Sequence, residues 1–298
     1  MRDKKTVFVL GAGASCPYGY PSGAHLREHI CFSISPLDQK ELVQAAVEKD
    51  GLPSVANFTR TFEGSSTKSI DLFMARNPKL APVGKYIIAF ETFRAEQRSK
   101  FRERAEWVQE TYKRHHPNDT GREAYLKRKD FQGGDWYSYL FNRLTDGLVN
   151  LPDFSSGELV FITFNYDRSL EYFLYESFRN SFTEVPESQV IQCLKKLKIL
   201  HVYGQIAPLK WQDSEQGVDY RPQISEALLQ KVSSNIRTVY GEKQNPELLE
   251  SQNLLKQANE IFFLGFGYAP ENMEVLGLSG VIPPGACRVY GTAFGLNN

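Results

Sequence analysis

"VFVLGAGASCPYGYPSG", residues 7–23, drives an apolar strand straight into a Gly-Ala-Gly turn and lets a proline and further glycines follow before a helix begins. Glycine tolerates positive φ and admits close approach to the backbone. A buried strand ending in Gly11-Ala12-Gly13-Ala14-Ser15 is therefore expected to bring several backbone N–H groups to one point, a setting suited to a phosphate. The dinucleotide fingerprint G-x-G-x-x-G is only approximated: Gly11 and Gly13 fill the first two positions, Cys16 falls at the third, and the next glycine is Gly19. A tight strand-to-helix turn that holds no ligand accounts for the same stretch.

Working outward, uninterrupted apolar runs predict further strands at 159–164, 197–203, 260–266 and 287–292, alongside the first at 6–10. Strands apolar on both faces belong in a parallel sheet covered on both sides. Between them the spacing predicts helices over 22–34, 167–178 and 245–258, with a short one after Pro270. The fold class expected is α/β, a Rossmann-like parallel sheet with helices on both faces. This pattern covers 1–35 and 150–298, and residues 36–149 read as an all-helical insertion. Its charge run "RAEQRSKFRER" (94–104) mixes both signs at helical spacing and predicts a solvated or partner-facing surface. His115 and His116 are adjacent, so one helix side cannot aim both at one metal, and a solvated pair is expected.

With 298 residues the chain can bury a large core. Its 35 Lys+Arg against 35 Asp+Glu give a formal net charge of +0, so no overall field draws it to nucleic acid or anionic lipid. No apolar window suits a signal peptide or a membrane span, which predicts a cytoplasmic protein. Four cysteines, Cys16, Cys31, Cys193 and Cys287, lie far apart with no C-x-x-C pair. They read as reduced thiols, and no metal site is expected. Cys16 reads as a small side chain packed under the turn, not as a nucleophile.

Two more strand ends carry polar groups. "VFITFNYD" ends in Asn165, Tyr166 and Asp167, where open α/β sheets bind ligands, and "KILHVYG" places His201 at its end with Gly204 just after. Asp167 also reads as the N-cap of the following helix, which leaves Asn165 without an account. Three successive strand ends thus hold a phosphate-type loop, a carboxamide and an imidazole.

In that chain order, "GAGASCPYGYPSG", "TFNYD" and "HVYG" resemble the motifs of the sirtuins and their bacterial relatives, and "IFFLGFGYAPEN" resembles that family's later glycine turn beside the adenosine ribose. The resemblance covers the βα portions. The family's four-cysteine zinc module is missing, and Ser22-Gly23 stand where deacylating members carry an acid near the nicotinamide. Both departures argue against lysine deacylation. The inserted helical block and the spelling "TFNYD" are instead similar to the sirtuin-domain NAD hydrolases of bacterial anti-phage defence, and "SIDLF" (69–73) is similar too, although Asp71 also reads as a helix cap.

The resemblance implies cleavage of the nicotinamide–ribose bond of NAD to nicotinamide and ADP-ribose, without a metal. It implies Asn165 and His201 as catalytic residues: Asn165 ordering water and ribose hydroxyls, His201 accepting a proton. It implies Gly11, Ala12, Gly13 and Ser15 at the pyrophosphate, Gly265 and Gly267 at the adenosine end, and Asp167 and Gly204 among the binding residues. A homo-oligomer regulated through the helical block is expected, with a HerA-type ATPase or a phage protein as partner or trigger. A nucleotide-sensing module without turnover, or a deacylase or ADP-ribosyltransferase, are the alternatives. The last strand, 287–292, ends with no covering helix after it and is expected to lean on a further segment or a neighbour.

Overall fold

In the computed structural model, five parallel strands lie side by side: β1 (Thr6–Leu10), β2 (Leu159–Thr163), β3 (Lys198–His201), β4 (Glu260–Leu264) and β5 (Arg288–Gly291), in the order β3-β2-β1-β4-β5. The structure describes residues 4–32, 37–99, 101, 135–238, 245–277 and 287–292. This is the Rossmann-like α/β arrangement expected. Its strand order reverses at β1, so a crevice is expected outside the carboxyl ends of β1 and its neighbours.

The helices described are α1 (Gly23–Phe32), α2 (Leu37–Lys49), α3 (Val55–Gly64), α4 (Ile70–Arg76), α5 (Ala81–Gln97), α6 (Trp136–Leu144), α7 (Ser169–Ser181), α8 (Glu187–Leu194), α9 (Glu226–Ser233), α10 (Pro246–Lys256) and α11 (Pro270–Val275). Strand alternation divides the sheet's side chains between two cores. Val7, Val9, Val160, Ile162, Ile261 and Phe263 face α10 and α11. Phe8, Leu10, Phe161, Phe262 and Leu264 face α6, α7 and α8. The register puts Phe161, Phe8, Phe262 and Tyr290 in one row across four strands, with stacked rings 5.4, 5.0 and 4.8 Å apart. Such pairs add about 0.5–1.5 kcal/mol each beyond area burial. The edge strand β5 is exposed along its length.

The helical layer has its own core, in which Phe58, Phe62, Phe73 and Ile88 meet Ile206, Leu229 and Val232. The later part of the chain therefore contributes residues 206–236 to this layer, while α6, from the expected insertion, packs with Tyr18 and Phe173 against the sheet. Packing does not follow the division expected at 36–149. The reason is local: α9 is amphipathic and buries Leu229 and Val232 against α2 and α5.

The charge run gives the clearest correction. It was expected to form a solvated or partner-facing surface, and Gln97 and Arg98 are exposed, yet Arg94, Ala95 and Glu96 are buried, because α5 is enclosed nearly all round. His115 and His116, like residues 102–104, lie outside the described residues. Glu96 pairs with Arg168, and both side chains are 0% exposed. All five guanidinium donors are used: Nε and Nη2 reach Glu96 Oε1 and Oε2 at 2.7 and 3.1 Å, and the others reach the carbonyls of Pro208, Val218 and Asp219 at 3.2, 2.7 and 2.7 Å. The Arg221 N–H adds a bond to Glu96 Oε2 at 3.1 Å. Burial still pushes the Glu96 carboxyl up, against the pull of Arg168.

Removing one partner of a buried pair leaves the other charge uncompensated. Glu96→Ala is expected to cost about 3–5 kcal/mol in denaturant melts. Glu96→Ala/Arg168→Ala is expected to cost less than the sum of the single changes, because the second removes the charge that the first left unpaired. Simple additivity would contradict the coupling.

Candidate functional site

The three glycines at the switch point serve first to bring two loops together. After β1 the chain forms single 3-10 turns at Ala12–Ala14 and Cys16–Tyr18. A Cβ at Gly11 would lie 2.5 Å from the Gly265 carbonyl oxygen, and one at Gly13 would lie 2.8 Å from it. Gly265 has φ +57°, and a Cβ there would meet Ala14 N at 2.0 Å. The N–H groups of Gly11, Gly13, Ala14 and Ser15 donate to the carbonyls of Leu264, Gly265, Gly11 and Ala12 at 2.9–3.2 Å. The expected convergence of N–H groups on one point is not the arrangement found for these four, since Gly11 and Gly13 bond across to the β4 end and Ala14 and Ser15 close turns within their own loop. Gly267 differs. It has no left-handed φ, and nothing lies within 4 Å of where its Cβ would be, so packing does not require glycine there.

Asn165 joins this floor to the next strand end. Its Nδ2 donates to Gly11 O at 3.1 Å and to Ser15 Oγ at 3.3 Å, and its backbone carbonyl faces His201 Nδ1 at 2.9 Å. Among the described residues, the Asn165 carboxamide oxygen has no hydrogen-bond partner. Asp167 is not the N-cap of α7: Arg168 holds that position, and Asp167 Oδ1 accepts the Ser169 N–H at 3.0 Å from one residue farther out. Burial pushes the Asp167 carboxyl up, against hydrogen bonds from Ser169 and Ser15. Cys16 donates to Ala12 O at 3.3 Å, and burial together with the Asp167 charge raises its thiol, which disfavours a thiolate.

His201 is held from both sides. Its Nε2 lies 2.7 Å from Glu171 Oε1, which also accepts from Gln205 Nε2 at 2.9 Å. A carbonyl and a carboxylate only accept, so the ring satisfies both by carrying both protons. Burial alone would lower the imidazole, but the charge and hydrogen bond of Glu171, with the Asn165 carbonyl, leave it above its ordinary value. His201 in this state has no lone pair, so the geometry does not supply the proton acceptor expected of it. Glu171, whose side chain is 2% exposed, was not singled out in the sequence.

Gly204 has φ +79°, and a Cβ there would lie 2.0 Å from Asn235 O, so its glycine is required by packing. A cavity of about 430 Å³ lies beyond it, lined in part by His201, Gly204, Gln205, Asn235, Arg237 and Glu247. Arg237 Nη1 bonds Glu247 Oε2 at 2.6 Å and holds that carboxyl below its usual range. A larger cavity of about 800 Å³ belongs to the helical layer, between Asp50, Met74, Lys85 and Tyr86, and touches none of the expected site residues.

The helical layer reaches the strand ends through Asp71. Ser69, not Asp71, caps α4, accepting the Leu72 N–H at 3.3 Å, and Asp71 accepts a short hydrogen bond from the Tyr166 hydroxyl. Burial pushes the Asp71 carboxyl up to about 6, opposed by the Tyr166 bond and assisted by the charge of Glu271. Among the described residues, no group of three or more His, Cys, Asp or Glu is placed to hold a metal ion. Nor is any described helix long and apolar enough to cross a membrane. A scan against protein-family models gives no match, and a search of curated proteins gives no match either.

The His201–Glu171 pair carries a pH signature. A histidine raised on folding contributes stability that is present below its unfolded value, about 6.5, and is lost as pH rises through the folded value. The advantage of the wild type over Glu171→Gln in thermal melts is expected to be largest near pH 6 and to shrink toward pH 9. An advantage that does not change with pH would contradict the imidazolium assignment.

Proposed function

We propose that the carboxyl edge of the sheet binds NAD and hydrolyses its nicotinamide–ribose bond, giving nicotinamide and ADP-ribose. The observation that carries this reading is the hydrogen-bonded line from the Gly11–Ser15 loop through Asn165 to His201, which spans the ends of three adjacent strands at the reversal of strand order. The motif resemblance to sirtuin-domain NAD hydrolases supports it independently. Glycosidic cleavage passes through an oxocarbenium-like state that gathers positive charge on the ribose. In this reading the Asn165 amide nitrogen is anchored to the loop, and its oxygen orders a ribose hydroxyl or the attacking water. The His201–Glu171 pair is neutral as a unit, so it orients the Asn165 backbone without repelling the developing cation. Open space at Gly267 lets the dinucleotide backbone approach. The anti-phage setting, a homo-oligomer and a HerA-type or phage-protein partner belong to the same reading and rest on the resemblance.

One observation favours a second reading. With both ring nitrogens of His201 engaged, the site would suit a sensor that holds NAD or ADP-ribose without turnover. Incubating the purified chain with NAD, with and without phage lysate, separates the two. The hydrolase reading expects nicotinamide release beyond one equivalent. Asn165→Ala is expected to lose about a hundredfold or more of that rate at a stability cost of only about 1 kcal/mol. Stoichiometric NAD binding with no nicotinamide released under either condition would select the sensor.

A further inference from the structure

We propose that Asp71, delivered by the helical layer, is the proton acceptor of this site, in the place that His201 does not fill. The inference rests on the hydrolase reading above. Its geometric basis is the contact of Asp71 with the loop that follows β2. On one side its carboxylate takes the Tyr166 hydroxyl, and Tyr166 directly follows Asn165 at the end of β2; the same hydroxyl lies 3.3 Å from the Arg237 carbonyl. On the other side it feels the charge of Glu271 in α11, which follows the Gly265 turn at the end of β4. The strand between them is β1, where the order reverses. Asp71 thus ties the helical layer to the loop that follows β2, one residue beyond Asn165.

Three neighbouring carboxylates are otherwise committed. Glu171 is bonded to His201 and Gln205, Glu247 to Arg237, and Asp167 to the Ser169 N–H at the start of α7. Asp71 accepts from the Tyr166 hydroxyl and from a backbone N–H, and burial pushes its carboxyl up to about 6, which leaves it ionised at neutral pH and still basic enough to take a proton. In the step, the oxygen of water bonds to ribose C1′ and the C1′–N bond breaks, its electron pair returning to the nicotinamide ring nitrogen. The water's proton passes to the Asp71 carboxylate and from there to solvent. NAD and water thus give ADP-ribose, neutral nicotinamide and one proton.

The bland account of the same contact is a strap that docks α4 onto the β2 loop. Asp71→Asn separates the two, because the amide keeps the size and the acceptor for Tyr166 but cannot take a proton. We expect nicotinamide release to fall about a hundredfold or more, with ADP-ribose affinity within threefold of wild type by calorimetry. A carboxyl raised to about 6 in the fold costs the native state stability progressively as pH rises from about 4 to about 6, where the unfolded chain ionises it and the native chain does not. Asp71→Asn is therefore expected to melt above the wild type at pH 8 and to coincide with it below about pH 4. The wild-type kcat/KM profile is expected to fall on its acidic side near pH 6. Tyr166→Phe, which removes a bond that favours the carboxylate, is expected to move that limb upward. Turnover by Asp71→Asn within threefold of an active wild type would overturn the assignment and leave the hydrolase reading standing. A wild type that binds ADP-ribose and releases no nicotinamide would overturn both.

Discussion

A guanidinium sealed inside the protein holds the sheet and the helical layer in one frame. Arg168 stands at the head of α7, after the short loop that follows β2, and its donors divide between Glu96 of α5 and the carbonyls of the 208–219 segment. A buried cation tolerates no loose partner, so each of these segments is fixed relative to the others. Its neighbours make the consequence larger. In four consecutive residues, Asn165 reaches the β1 loop, Tyr166 reaches Asp71, Asp167 fastens the start of α7, and Arg168 reaches α5. The strand end that presents the expected carboxamide is also the junction of the fold. Changes in this stretch must therefore be read against stability before they are read against chemistry.

The fold was legible because parallel strands covered on both faces leave a plain trace: continuous apolar runs, each bounded by turns. The glycines were legible as well, although their stated reason was not. Gly13 read as a place for a phosphate and Gly265 as part of the adenosine end, whereas they first permit one loop to lie on another. A sequence shows that a backbone must be approached closely but not by what. Asn165 and His201 were legible through their places at strand ends, and the structure links them through a backbone carbonyl.

What stayed hidden is paired charge. Glu96 sat within a mixed-charge helix that looked solvated, because its partner lies 72 residues away. Glu171 looked like an ordinary acid in a first helical turn, and only the fold brings His201 to it across the end of β3. Asp71 looked like a cap, and Ser69, before Ile70, took that work. In each case local chemistry offered a sufficient role, and a contact distant in sequence supplied a different one. The exchange of packing between layers has the same origin, since the amphipathic face of α9 does not reveal which surface it will cover.

The proposed nucleotide site is the switch-point crevice, in preference to the roomier cavity of the helical layer. Amide hydrogen exchange of the full chain with and without saturating ADP-ribose tests this most directly. Slower exchange confined to residues 11–15, 165–167 and 265–268, together with the Asp71 turn of α4, is the predicted result. Protection that instead appears around Asp50, Met74 and Tyr86, with the strand-end loops unchanged, would contradict it.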